Sequence, residues 1–458
     1  MSEVIRRFGV EPRRPAGVRD HRYAPWLAVS AVCVGAFIGQ LDASIVTVAL
    51  PSIRDDLHVS LGAVEWVSLA YLLVLMGTVS AVGRLADMLG RKLLYVYGFA
   101  VFTAASLGCG LAPTLAVLIG LRVVQGVGAA MLQANSVALI RTTVRDERLR
   151  LAIGLQGAAQ AIGLALGPAV GGLLVGAGGW RWIFYVNVPV GVIGIGLGLL
   201  LLPRTRARAP VTRFDWPGLA TLLPASGMLL LALSLLGRSG PSAIALGATS
   251  ALLWTVFVLV ERRAVVSLVD LRLLRSRVVA TGLASGLLAY LVLFGVLFAT
   301  PLHLQSVFAE SPEMAGLTLA ALPVALGVVA PLAGRLRSAW AAVCGVALTG
   351  AACAVIAVVP DDRVVLVGML ALAGAGLGLF TPANNAAVAG AGAAENAGMV
   401  SGLLNMTRAI GTSLGVAVAG ATYLHGGFAV TMAVLAGLAV VAAVVAMSGL
   451  PGPIRSRA

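Results

Sequence analysis

Fourteen apolar runs, most about 20 residues long, follow one another along this chain. They lie near 26–50, 64–83, 93–112, 114–140, 151–177, 182–202, 216–236, 242–260, 278–301, 314–334, 338–359, 363–388, 398–423 and 427–449. A helix rising 1.5 Å per residue needs about 20 apolar residues to cross a hydrocarbon layer of roughly 30 Å. With 59% of its residues hydrophobic and 11% charged, the chain carries more apolar surface than one soluble core can absorb. The expected fold class is therefore an all-α integral membrane protein of 14 transmembrane helices.

The basic residues give the expected orientation. If both termini are cytoplasmic, 26 of the 32 Lys and Arg fall on inside segments. Only Arg54, Arg181, Arg238 and Arg363 fall outside, and Arg122 and Arg408 lie within runs. That asymmetry is the positive-inside signal of an even number of spans. It also accounts for the net charge of +14 without a nucleic-acid surface, which would gather the charge on one face. The polar, Arg-rich start resembles a signal-peptide n-region. The run after it is too long for an h-region, so it is read as a retained first span.

Several chemistries are disfavoured. A phosphate-binding loop needs Gly-Lys-Ser/Thr, and the sole lysine, Lys92, precedes Leu93. His21, His58, His303 and His425 are isolated, and the last three are expected as solvated residues on the outside. Cys33, Cys109, Cys344 and Cys353 fall in apolar runs at unrelated spacings and read as packing residues. No enzyme, cofactor or metal site is expected, and uphill work would draw on an ion gradient.

Asp42 is the acidic residue that stands near the middle of an apolar run. Placing a carboxylate there costs at least about 2.5–3.5 kcal/mol, which by default marks an ion or substrate pathway. Arg122, in the fourth run, must face a cavity or a partner. Two roles stand open for it, tuning a nearby acid or clamping carbonyls of a neighbouring helix. Gln125, Gln156, Gln160, Asn385 and Arg408 join them as candidate proton-coupling or substrate residues. Few of these are charged, which favours a large apolar or weakly cationic cargo.

Two further segments carry candidate mechanics. The connection Gly83–Lys92 is short and holds Asp87, Arg91 and Lys92 between Gly83 and Gly90. It could form contacts in one conformation and break them in another, or be a plain positive-inside turn. In the fifth run Gly163, Gly167 and Gly171 form a bare stripe, beside Pro168 and Gly172. Such a stripe lets another helix approach closely, and it is expected as a tight seam between the two halves.

Five segments of the chain together resemble the major facilitator superfamily. Gly83-Arg84-Leu85-Ala86-Asp87-Met88-Leu89-Gly90-Arg91-Lys92 is similar to its signature loop. Arg122-Val123-Val124-Gln125-Gly126-Val127-Gly128 resembles its fourth-span motif, and Gly163–Leu173 its antiporter-associated fifth-span motif. Leu41–Pro51 and Trp180–Pro189 resemble segments of the fourteen-span drug:proton antiporter branch. Ser44, Thr47 and Met88 depart from the usual pattern. The resemblance implies two six-helix bundles with an inserted helix pair, alternating access, and a proton-transfer role for Arg122.

The expected organisation is a cytoplasmic segment 1–25, a six-helix bundle 26–202, and a linker 203–277 with two inserted, lipid-facing spans. A second six-helix bundle, 278–449, and a tail, 450–458, complete it. The expected activity is export of drug-like, hydrophobic or cationic small molecules in exchange for protons, by a monomer in a bacterial plasma membrane. Small-molecule cargo, protons and lipid are its expected partners, and nucleic acid is not. A proton-coupled importer or facilitator, or a non-transporting membrane sensor, are the alternatives.

Overall fold

The computed structural model describes residues 11–205, 215–235, 240–264, 273–333, 340–391 and 397–450. Among them the regular secondary structure is entirely helical. A single turn at Ala16–Arg19 precedes α1 (Ala24–Asp56), the short α2 (Leu61–Val64) and α3 (Trp66–Leu89). Next come α4 (Arg91–Leu111), α5 (Leu115–Thr143), α6 (Asp146–Gly178), the short α7 (Trp182–Tyr185) and α8 (Asn187–Leu201). A hairpin of α9 (Trp216–Ser234) and α10 (Gly240–Arg263) follows. The remainder is α11 (Arg277–Ser306), α12 (Pro312–Ala333), α13 (Trp340–Val358), α14 (Arg363–Ala391) and α15 (Ala397–Ser448).

Among the described residues, 12 helices are long and apolar enough to cross a membrane. The helix Trp216–Ala232 is apolar but shorter. The two runs expected at 398–423 and 427–449 form one element, α15, broken by Gly427 at φ 72°. That backbone conformation suits a residue without a Cβ. Of the expected end segments 1–25 and 450–458, residues 1–10 and 451–458 lie outside the described residues, as do 206–214, 236–239 and 265–272 of the linker.

The chain divides into two compact units. One holds Met1–Leu268 with Pro301–Ala320, and the other holds Val269–Thr300 with Ala321–Ala458. In the first unit the most extensive helix contact is α1 against α6. The stripe expected as a seam makes it: a Cβ on Gly163 would strike the Phe37 carbonyl, and one on Gly167 would strike Ser44. On Gly171 it would come within 2.9 Å of Ile45. The stripe thus seats α6 on α1 within one unit. Pro168 and Gly172 meet the start of α12 in that same unit, at Gly316 and Pro312.

A second close crossing joins α4 to α5, where a Cβ on Gly128 would come within 2.6 Å of the Phe102 backbone. These two crossings pair the first long helix with the fifth and the third with the fourth. Lipid gives no hydrophobic drive between helices, so this packing must come from van der Waals contact, which small residues allow. The α9–α10 hairpin packs on itself, with Ser250 Oγ donating to the Ala225 carbonyl at 2.7 Å. Its α9 lies along α3, where Gly77 and Gly227 admit Leu223 and Leu73. In the second unit α13 packs between α14 and α15.

Two expectations need correction. The segment Gly83–Lys92 is not a loop: α3 continues to Leu89, Gly90 alone is non-helical, and α4 begins at Arg91. Leu85, Ala86, Met88 and Leu89 favour helix, while Gly90 takes φ 118°, which other residues resist. His303 is not solvated. It lies buried near the end of α11, with its ring edge-on to Phe308 at 5.3 Å.

Candidate functional site

Asp42 sits in α1 with 0% of its surface exposed, and Arg122 in α5 with 1%. Arg122 Nη1 donates to Asp42 Oδ2 at 2.6 Å. Arg122 and Gln125 share a helix face three residues apart, so both reach the same carboxylate. Gln125 Nε2 donates to Asp42 Oδ1 at 3.0 Å and to Ser106 Oγ of α4 at 2.7 Å. Its Oε1 accepts from Arg122 Nη1 at 2.5 Å. Asn187, the first residue of α8, donates from Nδ2 to Asp42 Oδ1 at 2.8 Å. Helices α5 and α8 therefore place three donors on the α1 carboxylate, and α4 reaches it through Gln125.

The guanidinium is held from other directions as well. Arg122 Nε donates to the Val67 carbonyl of α3 at 2.8 Å. Its plane lies 4.2 Å from the centre of the Tyr71 ring and 5.8 Å from that of Phe184. Both readings of Arg122 meet in this geometry, because one side chain pairs an acid and clamps a carbonyl. A buried pair of this kind makes either partner costly to remove alone, about 3–5 kcal/mol, because the other is left charged in an apolar setting. Arg–carboxylate pairs are also directional, so the pair fixes the rotation of α1 against α5.

Asp42, Arg122 and Gln125 are thus brought together by the fold. Gln156 is buried on α6 and Gln160 half-buried one turn on, in the same unit. Asn385 and Arg408 belong to the second unit, where they line a small cleft with Asn384, Gly282, Leu283 and Tyr290. The Arg408 guanidinium lies 4.9 Å from the Tyr290 ring. Asn384 Nδ2 donates to the Gly282 carbonyl at 3.0 Å.

Of the expected gate residues, the side chain of Asp87 lies outside the described ones. Gly83 lies within α3, which runs on to Leu89. Lys92 is buried, and its ammonium donates to the carbonyls of Leu199 at 2.7 Å, Leu202 at 2.9 Å and Pro12 at 3.0 Å. The Arg91 amide donates to Thr205 Oγ1 at 2.9 Å. Glu11 accepts from the Thr205 amide at 2.6 Å and from its hydroxyl at 2.8 Å. Lys92 therefore satisfies the orphan carbonyls at the end of α8 and ties α8 and the N-terminal segment to the start of α4.

Sequence reasoning missed Asn187, Ser106 and Tyr71 as members of the site. Asn187 carried a signal, an amide opening a span, but its register against α1 is a tertiary fact. Ser106 and Tyr71 gave none, since hydroxyls are common in spans.

A family model described as Major Facilitator Superfamily matches residues 32–268 and 282–457. The chain belongs to the major facilitator superfamily. It is a multi-pass membrane transporter, and not an enzyme. Among members of this superfamily, it is similar to the multidrug resistance protein Stp of Mycobacterium tuberculosis, 35% identical over 86% of this chain and 75% of that one. It is also similar to the tetracenomycin C resistance and export protein of Streptomyces glaucescens, 32% identical over 90% and 78% of the two chains. The riboflavin transporter RibZ of Clostridioides difficile is 30% identical over 79% and 80%. The fold matches that of the human organic anion transporter MFSD10, with TM-score 0.64, 18% identity, and 92% of this chain and 99% of that one covered.

Proposed function

We propose that this facilitator is a proton-coupled antiporter that exports drug-like, hydrophobic or cationic small molecules by alternating access. One observation carries the proposal: a carboxylate buried in the first long helix, paired at 2.6 Å to a buried arginine. As a carboxylate, Asp42 accepts from Arg122, Gln125 and Asn187. A proton on Asp42 cancels its charge, and Arg122 then sits in an apolar region without its counter-ion. Protonation therefore favours a rearrangement of the helices that Arg122 and Asn187 hold on α1. Proton loading and conformational change become one event, which antiport requires.

The exporter relatives support the direction of transport, and the sparse charge of the polar set supports the cargo class. The proposal includes fourteen spans. Trp216–Ala232 and the division of α15 at Gly427 favour that number over the twelve long helices. It further includes cytoplasmic termini, a bacterial plasma membrane, a monomeric working unit and the domain bounds expected from sequence. Within it, Gln156, Gln160, Asn385 and Arg408 contact cargo. Gly83, Asp87, Gly90, Arg91 and Lys92 couple the cytoplasmic ends of α3 and α4 to the cycle.

The riboflavin transporter at 30% identity favours a second reading, transport of a single metabolite. Ethidium movement in inverted vesicles under an imposed proton gradient separates the two. Wild type is expected to accumulate the dye and lose it on uncoupling, and Asp42→Asn to accumulate none. Accumulation indifferent to both would sink the antiport mechanism.

A further inference from the structure

Asn187 opens α8 fully buried, and the two ends of its amide are unequally used. Nδ2 donates to Asp42 Oδ1 at 2.8 Å, whereas its own Oδ1 is buried and has no hydrogen-bond partner in the protein. A carboxylate only accepts, which fixes Nδ2 as the end turned toward Asp42. A buried acceptor left bare is costly, so its presence one bond away from a carboxylate contact calls for a use.

The other neighbours of Asp42 have no such reserve. Arg122 carries donors alone. Gln125 has both ends committed, with Nε2 on Asp42 and Ser106 and Oε1 accepting from Arg122. A proton on Asp42 turns a carboxylate oxygen into a donor, so two donors would then face each other across the 2.8 Å contact. Of the three side chains bonded to Asp42, Asn187 is the one with a spare acceptor. A half-turn about its Cβ–Cγ bond puts Oδ1 where Nδ2 stood, and that torsion is broad and roughly two-fold. Among the described hydrogen bonds, the half-turn gives up only the one to the carboxylate.

We propose that Asn187 changes from donor to acceptor when Asp42 takes a proton, and so keeps α8 on α1 while α5 is released. This rests on the proton-antiport reading above. A hydronium ion gives up its proton and returns to water, the O–H bond forms at Asp42 Oδ1, and that hydroxyl donates to Asn187 Oδ1. Arg122 loses its counter-ion in the same step, so the two contacts on α1 respond in opposite ways. Asn187 is thus a positioning residue, which holds the new hydroxyl in place and gives the rearrangement its direction. Around Asp42 the charged and titratable side chains are Arg122 on α5, Tyr71 on α3 and Cys109 on α4, whose thiol meets Gln125 Oε1 at 3.9 Å. Glu65 stands at the start of α3, and Arg54, Asp55 and Asp56 at the end of α1. Tyr185 of α7 turns to the Gly110 carbonyl at 2.8 Å. The charged residues of α6 lie at 146–150, well before the Gly163 and Gly167 that meet this part of α1, and α2 and α8 carry none.

The test is an infrared titration of the full chain carrying a carbon-13 label at the side-chain carbonyl of asparagine. The band of position 187 is assigned by its absence from Asn187→Leu. Should that variant fail to fold, Asn187→Gln serves instead, since it keeps an amide and loses the label. As the pH falls, the carboxyl band of Asp42 should appear, and it should be absent from Asp42→Asn. Over the same interval the Asn187 carbonyl band should move to lower frequency, as a carbonyl does on gaining a donor, and in Asp42→Asn it should stay in place. An Asn187 band that stays in place while the Asp42 carboxyl band rises overturns the switch and leaves the antiport reading standing. Absence of any Asp42 carboxyl band, at every pH where the protein stays folded, counts against antiport and overturns the switch with it. In proteoliposomes, Asn187→Leu should move ethidium under a proton gradient roughly tenfold more slowly than wild type, the scale of one lost hydrogen bond. A wild-type rate in that variant overturns the switch as well.

Discussion

Asp42 Oδ2 and Arg122 Nη1 stand 2.6 Å apart, with 0% and 1% of their side chains exposed. Neither side chain can be judged alone, because each neutralises the other in a setting where a lone charge is costly. Asp42→Asn and Arg122→Gln should each lower stability in detergent by about 3–5 kcal/mol if the remaining charge stays buried. The double variant should lose less than the sum, because it leaves no lone charge. Thermal unfolding of the four proteins closes the cycle, and strict additivity would count against a direct pair.

Arg122→Lys should not rescue the site. A lysine is a point charge and cannot donate to Asp42, Gln125 and the Val67 carbonyl in one plane as the guanidinium does. It should retain part of the stability and lose gradient-driven ethidium movement. Lysine supporting transport at the wild-type rate would show that only the charge matters.

The α1–α6 crossing predicts a size limit. Gly163→Val should prevent normal packing, because its Cβ would meet the Phe37 backbone, which cannot swing away. Overpacking of this kind costs about 1–3 kcal/mol or more. Gly120→Ala, at a position with open space, is the matched control and should fold normally. Monodispersity on size exclusion separates the two outcomes.

Lys92→Met should destabilise the protein by about 1–3 kcal/mol, because it leaves the carbonyls of Leu199, Leu202 and Pro12 without their donor. Arg181→Ala is the contrast. Its pair with Asp56 is exposed on both sides, so removal should cost no more than about 1 kcal/mol, less at high salt. Equal effects from the two would mean that Lys92 is not the tie between α4 and α8.

Much of this was legible along the chain, and the reasons differ from residue to residue. The apolar runs announced the helices because crossing lipid requires length and apolarity, and both are local properties. Asp42 and Arg122 stood out singly because an isolated charge in such a run must be compensated. Gly163, Gly167 and Gly171 announced a close contact by their spacing, but not its partner. Their partner is α1, in the same unit.

The Gly83–Lys92 segment shows the opposite failure. Its charges and glycines look like a loop, but a helix can leave the hydrocarbon and keep its hydrogen bonds in water, so polarity did not end α3. Only the φ of Gly90 ended it.

The sequence by itself determined that this chain is helical, membrane-spanning and built around a charge it must shelter. Tertiary structure decided the shelter, which is Arg122 and Gln125 from α5, Asn187 from α8 and, through Gln125, Ser106 from α4. The physical reason is one of range. Hydropathy and helix propensity act within a few residues. A buried ion pair between positions 42 and 122 depends on register between helices far apart in sequence, set by small-residue crossings whose partners no local pattern names.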